Sequence, residues 1–305
     1  MPRHLIHVGF PKAGSTALSA WFDAHPQLQH RPNAIAGHYD AFGIAARAAS
    51  DAPEPRWYVT SSESLSVPRV SDDPSVRPAG EVGREVPLPE SRARVCRTLR
   101  DLFGDATILI VTRGFEGTIL SGYSQYVKEG GHLAIAEMLA PRGRDPSGYL
   151  EYDAVIALYE ETFGAENVIV LPYELLRDDA AAFTAALTER LGIDPGPGPV
   201  PARNVALSPA GLYWYRRLNR RAARLPGRVR PAWLRVVRED RLRRPLELLD
   251  RALPGMRDPG VRLPDGVLDA LRGRAAGLAT RPHYGPYAAE YLNERPAAAT
   301  DSAAR

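Results

Sequence analysis

Lysine is almost missing from this chain. Of 39 basic residues in 305, all but Lys12 and Lys128 are arginine. Arginine's planar fork suits two-point contacts with phosphate or sulfate oxygens. An arginine-favouring codon bias gives the same count, so the excess alone locates no site. Cysteine is nearly absent too. Cys96 stands alone, which excludes an intrachain disulfide and fits a reducing compartment. It lies in an Arg-rich amphipathic stretch and reads as an inert helix residue. Long apolar runs are missing: none reaches the ~18 residues of a membrane span. The start, MPRHLIHVGF, meets Pro11 before any signal-peptide core could form. A cytoplasmic location is the expectation. Charge of one sign is also scarce: the formal net charge is +3, and no nucleic-acid partner is expected. What is present is an ordinary apolar fraction of 44%, enough for a real core in one large domain or two small ones.

Four short apolar runs read as buried parallel strands: Leu5–Phe10, Trp57–Ser61, Thr107–Thr112 and Asn167–Pro172. Helical periodicity fills the intervals, at Ser15–Ala24, Ser91–Phe103, Gly114–Lys128, Gly148–Phe163 and Asp179–Leu191. Strand alternating with helix predicts an α/β fold, a three-layer parallel sheet with helices on both faces. The proline-rich stretch 67–90 reads as a mobile surface loop or lid, and Gly192–Pro201 as a breaker-rich linker. Helical patterns follow at Pro209–Arg224, Ala232–Ala252 and Pro264–Thr280. The organisation predicted is a single domain over 1–295, with a core at 4–191 and a helical C-terminal extension at 202–295. The tail 296–305 is expected to be disordered.

The first strand runs into Gly9-Phe10-Pro11-Lys12-Ala13-Gly14-Ser15-Thr16, and a helix follows. Two glycines let the backbone curl around an anion. The helix start supplies N–H groups and the positive end of its dipole. Lys12 precedes Gly14, whereas a Walker A loop places its lysine directly after the second glycine. FPKAGST resembles the 5′-phosphosulfate loop of sulfotransferases that use 3′-phosphoadenosine 5′-phosphosulfate (PAPS). The resemblance implies that Lys12 stabilises the bridging oxygen. It implies that Ser15 and Thr16 bind the 5′-phosphate, with Pro11, Ala13 and Gly14 lining the donor.

The third strand ends in Arg113, with Ser121 eight residues on. A P-loop kinase is expected to offer an aspartate here for Mg²⁺. An arginine favours a second phosphate instead, and the pair is similar to the family's 3′-phosphate site. For a general base, Glu63 ends the second strand, on the side where ligands bind open α/β sheets. The run Ser61-Ser62-Glu63 resembles the Glu-type branch of the family. His38, in Gly37-His38-Tyr39-Asp40, is the competing base. Arg203 and Asn204 resemble a donor-closing loop, in competition with a simple helix entry at Ser208-Pro209. Tyr173-Glu174 looks like a recurrent structural feature of the family. The aromatic segment His283–Tyr287 has an open role.

Taken together, these features predict a sulfotransferase with PAPS as donor, 3′-phosphoadenosine 5′-phosphate (PAP) as product and no metal. Its acceptor is a small molecule, lipid or glycan contacted by the segments 31–50, 67–90 and 129–147. The Arg-rich segment 216–251 could touch a membrane surface or an anionic acceptor, against a plain solvated helix face. The rival functions are a P-loop nucleotide or small-molecule kinase and a non-catalytic nucleotide-binding module.

Overall fold

A computed structural model describes residues 3–32, 34–38, 40–68, 86–139, 149–198, 206–224, 230–252, 263–264, 266–271 and 273–292. In chain order the elements are β1 (Arg3–Gly9), α1 (Ser15–Ala24), β2 (Leu28–Gln29), α2 (Ala41–Ala48), β3 (Trp57–Ser62), α3 (Leu88–Leu102) and β4 (Thr107–Thr112). Next come α4 (Phe115–Lys128), α5 (Ile135–Leu139), α6 (Tyr152–Phe163), β5 (Val168–Pro172), α7 (Tyr173–Asp178) and α8 (Ala180–Leu191). The helices α9 (Pro209–Ala222), α10 (Arg230–Arg238), α11 (Arg243–Ala252) and α12 (Ala288–Leu292) complete the set.

The four expected strands pair in parallel, and β2 adds an edge, giving the order β2-β3-β1-β4-β5. β1 lies between β3 and β4, in registers such as Ile6↔Thr60 and Val8↔Ile110. Leu5, Ile6, Val8 and Ile108–Val111 are fully buried, as continuous apolar strands covered on both faces should be. Alternation along β1 identifies the two covering layers. His7 faces the α1 ring of Phe22, with centroids 6.1 Å apart. His4, on the other face, meets Phe103 at 4.7 Å. Past the strand end, Phe10 meets Tyr152 of α6 edge-on at 4.7 Å. Helices therefore cover both faces, and the fold is the predicted three-layer α/β.

The chain divides into two compact units. One comprises Met1–Gly114, Gly148–Arg203 and Arg272–Arg305, and holds the sheet. The other comprises Phe115–Ser147 and Asn204–Leu271. The expected C-terminal extension thus takes α4 and α5 into its company, while the end of the chain returns to the sheet unit.

Three helical expectations are corrected. The continuous helix over Ala232–Ala252 is two helices, because Asp240 turns to a left-handed φ of 50° that an aspartate tolerates. The helix over Pro264–Thr280 is replaced by short 3₁₀ turns at Asp269–Leu271 and Ala276–Thr280. Gly273 is left-handed there, and the Gly277 N–H leaves any helical partner to donate to Asp153 Oδ2 at 2.9 Å. The helix expected from Gly148 begins only at Tyr152. Most of the expected lid, 69–85, and the tail lie outside the described residues.

Cys96 occupies the buried side of α3, and its Sγ–H points to the Leu158 carbonyl at 3.8 Å. Burial pushes the thiol pKa up, which leaves little thiolate at neutral pH. Labelling with a thiol-specific disulfide reagent should therefore be negligible in buffer and appear with the unfolding transition in urea. Stoichiometric labelling of native protein within minutes would show that α3 opens independently of the sheet.

Candidate functional site

The carboxyl end of β1 defines the site. Beyond Gly9 the chain turns through Phe10–Gly14, closed by a hydrogen bond from Ala13 N to Phe10 O at 3.2 Å. Lys12 and Gly14 both take left-handed φ values, 69° and 86°. Gly14 caps α1 with its carbonyl, which accepts from Ala17 N and Leu18 N. It contributes no side-chain acceptor to the first turn. A helix start of this kind presents its dipole and its N–H groups to an incoming anion. Glycine is required at position 14 on two counts: the left-handed φ, and the Tyr173 ring, which would stand 2.8 Å from a Cβ.

Glu63 is brought to this loop by three serines. Ser61 Oγ is 2.8 Å from His7 Nδ1 within the sheet. Ser62 Oγ accepts from Ser64 N at 3.2 Å and so caps the 3₁₀ turn Glu63–Leu65. Ser66 Oγ donates to the Gly9 carbonyl at 2.7 Å, tying that turn to the end of β1. Glu63 Oε1 then accepts the hydroxyl of Ser15, in the first turn of α1, at 2.6 Å. The turn is braced from behind by Arg92, a buried arginine that sequence reasoning missed. Its Nε donates to Ser66 O at 2.7 Å and its Nη2 to Tyr149 O at 3.0 Å.

Arg113 reaches the loop from β4. Its Nη1 donates to the Lys12 carbonyl at 2.8 Å, and its guanidinium lies over the Tyr173 ring at 4.5 Å. A buried network holds the backbone on either side of it. Tyr152 Oη donates to the Arg113 carbonyl at 2.6 Å. The Gly114 N–H donates to Glu174 Oε1 at 3.0 Å. Thr112 Oγ1 donates to Tyr291 Oη at 3.0 Å, and Tyr291 donates to Glu174 Oε2 at 2.6 Å. With the Thr112 proton so committed, the 2.8 Å contact to Tyr284 must run from Tyr284 to Thr112. The chain of donors thus ends on a carboxylate. Tyr284, from the aromatic segment, and Glu174, read as structural, both acquire a role: they fix the strand end that carries Arg113.

The other expected residues are placed as follows. Lys12 and Ser15 are half-buried and Thr16 is exposed, at the loop and the first turn of α1. Pro11 is half-buried and Ala13 buried in the same loop. His38 packs elsewhere: its Nδ1 lies 3.2 Å from Gln29 Nε2, and its ring 5.4 Å from that of Tyr58. Tyr58 is the second residue of β3, and at ~3.3 Å per residue the strand runs on for more than 10 Å to the Glu63 turn. His38 is therefore not grouped with the loop. Ser121 is half-buried on α4, in the other unit. Arg203 and Asn204 lie outside the described residues. Among the described residues no group of three His, Cys, Asp or Glu side chains is placed to hold a metal ion, and no helix is long and apolar enough to cross a membrane.

No protein-family model matches the chain, and no curated protein matches it. Solved structures similar to it include a sulfotransferase from Alicyclobacillus acidocaldarius, at 18% identity and a TM-score of 0.44, covering 67% of this chain and 86% of that one. Another is mouse sulfotransferase SULT7A1 complexed with PAP, at 15% identity and a TM-score of 0.33, covering 63% of this chain and 59% of that one. No residue of either protein is carried over to this chain.

Burial pushes the Glu174 carboxyl above its usual 4.5, against the hydrogen bonds from Tyr291 and Gly114 that favour the charged form. A carboxyl with a raised folded pKa favours the folded state fully below about 4.5, and loses that contribution as pH rises through the folded value. The unfolding free energy of wild type minus that of Glu174→Gln should therefore fall as pH is raised from about 4 to 8 in urea titrations. A difference that rises with pH would mean that the hydrogen bonds outweigh burial.

Proposed function

We propose that this protein is a group-transfer enzyme whose phosphate loop, at the carboxyl end of a parallel sheet, takes a nucleotide donor. More specifically, it is a PAPS-dependent sulfotransferase acting on a hydroxyl or amine of a small molecule, lipid or glycan. The observation that carries the reading is the 2.6 Å contact between Ser15 and Glu63. It sets a carboxylate against the first turn of a helix whose start has no side-chain cap. A base and an anion cradle thus share one end of the sheet, as transfer from an anionic donor to a protonated acceptor requires.

The donor supplies a sulfuryl group on a phosphate that leaves. The loop N–H groups, Ser15 and Thr16 hold the 5′-phosphate. Lys12 neutralises charge that builds on the oxygen between phosphorus and sulfur. Arg113, fastened to the loop through the Lys12 carbonyl, holds the 3′-phosphate. Glu63 takes the acceptor proton as the new bond to sulfur forms. Ser15 has one hydroxyl proton and can give it either to Glu63 or to a phosphate. Phosphate binding at the loop therefore withdraws that donor from Glu63. A P-loop kinase is the weaker alternative, because Arg113 stands where an aspartate for Mg²⁺ is expected.

Two experiments test the assignment, alongside a screen for sulfate transfer from labelled PAPS across an acceptor library. In calorimetry without Mg²⁺, PAP should bind at least about tenfold more tightly than AMP, since an added phosphate–arginine fork is worth ~1.5–3 kcal/mol. Equal affinity for the two, or strict dependence on Mg²⁺, would count against a bisphosphate site.

Once an acceptor is found, Glu63→Gln keeps the shape and removes the basicity. Turnover should fall by ~10²–10⁴-fold while PAP still binds. His38→Asn should stay within about tenfold of wild type, because His38 sits on Gln29 and Tyr58. An active Glu63→Gln beside an inactive His38→Asn would reverse the two roles.

A further inference from the structure

The second unit contains a cavity of about 220 Å³ lined by His132, Arg216, Arg217, Arg220 and Arg221. The four arginines belong to α9. At this spacing Arg216 and Arg220 stack one turn apart, and so do Arg217 and Arg221. Like charges so placed repel one another. Arg216 is also hydrogen-bonded to Tyr123. An anion bound in the cavity would relieve the remaining repulsion.

The walls are held in place. On the far side of α9, the Asn219 amide donates to the Val127 and Gly131 carbonyls, each at 2.9 Å, and its carbonyl accepts from Trp233 Nε1 at 2.7 Å. Gly131 directly precedes His132, so this one side chain fastens the histidine wall to the arginine helix. His132 N also donates to Tyr126 Oη at 3.3 Å. Tyr215 Oη accepts from Leu242 N at 3.0 Å and fixes the middle of α9. Arg217 is oriented by the Tyr213 ring, 4.2 Å below its guanidinium. A solvated helix face needs none of these restraints.

Size and chemistry narrow the ligand. Pockets for whole small molecules run to ~300–1,000 Å³. This one is smaller and suits a compact charged group. Guanidiniums recognise phosphate and sulfate by paired N–H donors. We propose that the cavity is an oxyanion site for a phosphate or sulfate monoester group, built wholly within the second unit. It does not depend on the donor assignment, and it would stand if the transferred group proved to be something else.

The test uses the full chain and inorganic pyrophosphate as probe. Calorimetry should give a binding event that Arg217→Gln/Arg220→Gln weakens by at least about tenfold and Lys12→Ala leaves intact. PAP binding to Arg217→Gln/Arg220→Gln should be unchanged, which separates this site from the donor loop. Both substituted arginines are exposed, so the thermal midpoint should hold. In unmodified protein, pyrophosphate should also slow phenylglyoxal modification of Arg217 and Arg221, mapped by mass spectrometry. Co-sedimentation with vesicles containing phosphatidic acid, whose headgroup is a phosphate monoester, distinguishes the sources. Retention that is lost in Arg217→Gln/Arg220→Gln assigns the anion to a lipid headgroup. Pyrophosphate binding without retention assigns it to a soluble ester. Wild-type pyrophosphate affinity in Arg217→Gln/Arg220→Gln, or no protection of either arginine, overturns the proposal.

Discussion

Everything at the candidate site depends on how α1 begins. A helix whose first turn lacks a side-chain acceptor is poorly satisfied on its own. Here the N-cap is Gly14, which has no side chain to offer. Two residues able to cap, serine and threonine, are one and two places too late in the sequence, at Ser15 and Thr16. From those positions their hydroxyls add to the donors at the helix start. Ser15 spends its proton on Glu63. The same offset that leaves the turn uncapped therefore links the start of α1 to the carboxylate.

The strand end on the other side of the loop is secured differently. Arg113 carries a permanent charge beside the Lys12 backbone, so its position has to be set by groups that cannot drift. The buried chain Tyr284–Thr112–Tyr291–Glu174 does this with hydrogen bonds in a low-dielectric interior, where each is stronger than in water. The cost is a buried carboxylate with a raised pKa. α12 and the aromatic segment close back onto β4 through Tyr291 and Tyr284, which explains why 273–292 belong with the sheet.

The sheet and loop were legible because their signals are local. Buried parallel strands are continuous apolar runs, and Thr107–Thr112 matched its expected bounds, as did the helix Ser15–Ala24. β2 escaped because two residues, Leu28 and Gln29, carry no pattern. The break at Asp240 escaped because the residues around it keep a helical rhythm, and only the backbone angle records the turn. At the site, glycines, hydroxyls and Glu63 could be found from a single stretch each. Arg92 and Tyr291 could not, nor could the roles of Tyr173 and Tyr284, since their value lies in contacts made across as many as 179 residues of sequence. His38 was a reasonable candidate by chemistry alone. What separates it from the loop is its register beside Gln29 and Tyr58, which no spacing rule supplies.

The scarcity of lysine acquires a physical meaning at Lys12. A non-glycine residue at a φ of 69° costs roughly 1–2 kcal/mol relative to right-handed backbone. A glycine would relieve that strain and an arginine would fit the composition of the chain, yet the position holds one of only two lysines. The left-handed turn is maintained from outside: Arg113 grips the Lys12 carbonyl, and buried Ala13 anchors the next residue. An arginine here would present a planar fork that needs two acceptors in fixed directions. An ammonium is a compact charge that can follow one oxygen as its charge grows. The strain at Lys12 is thus held in place by a neighbouring guanidinium, under a side chain of the rarer cationic type.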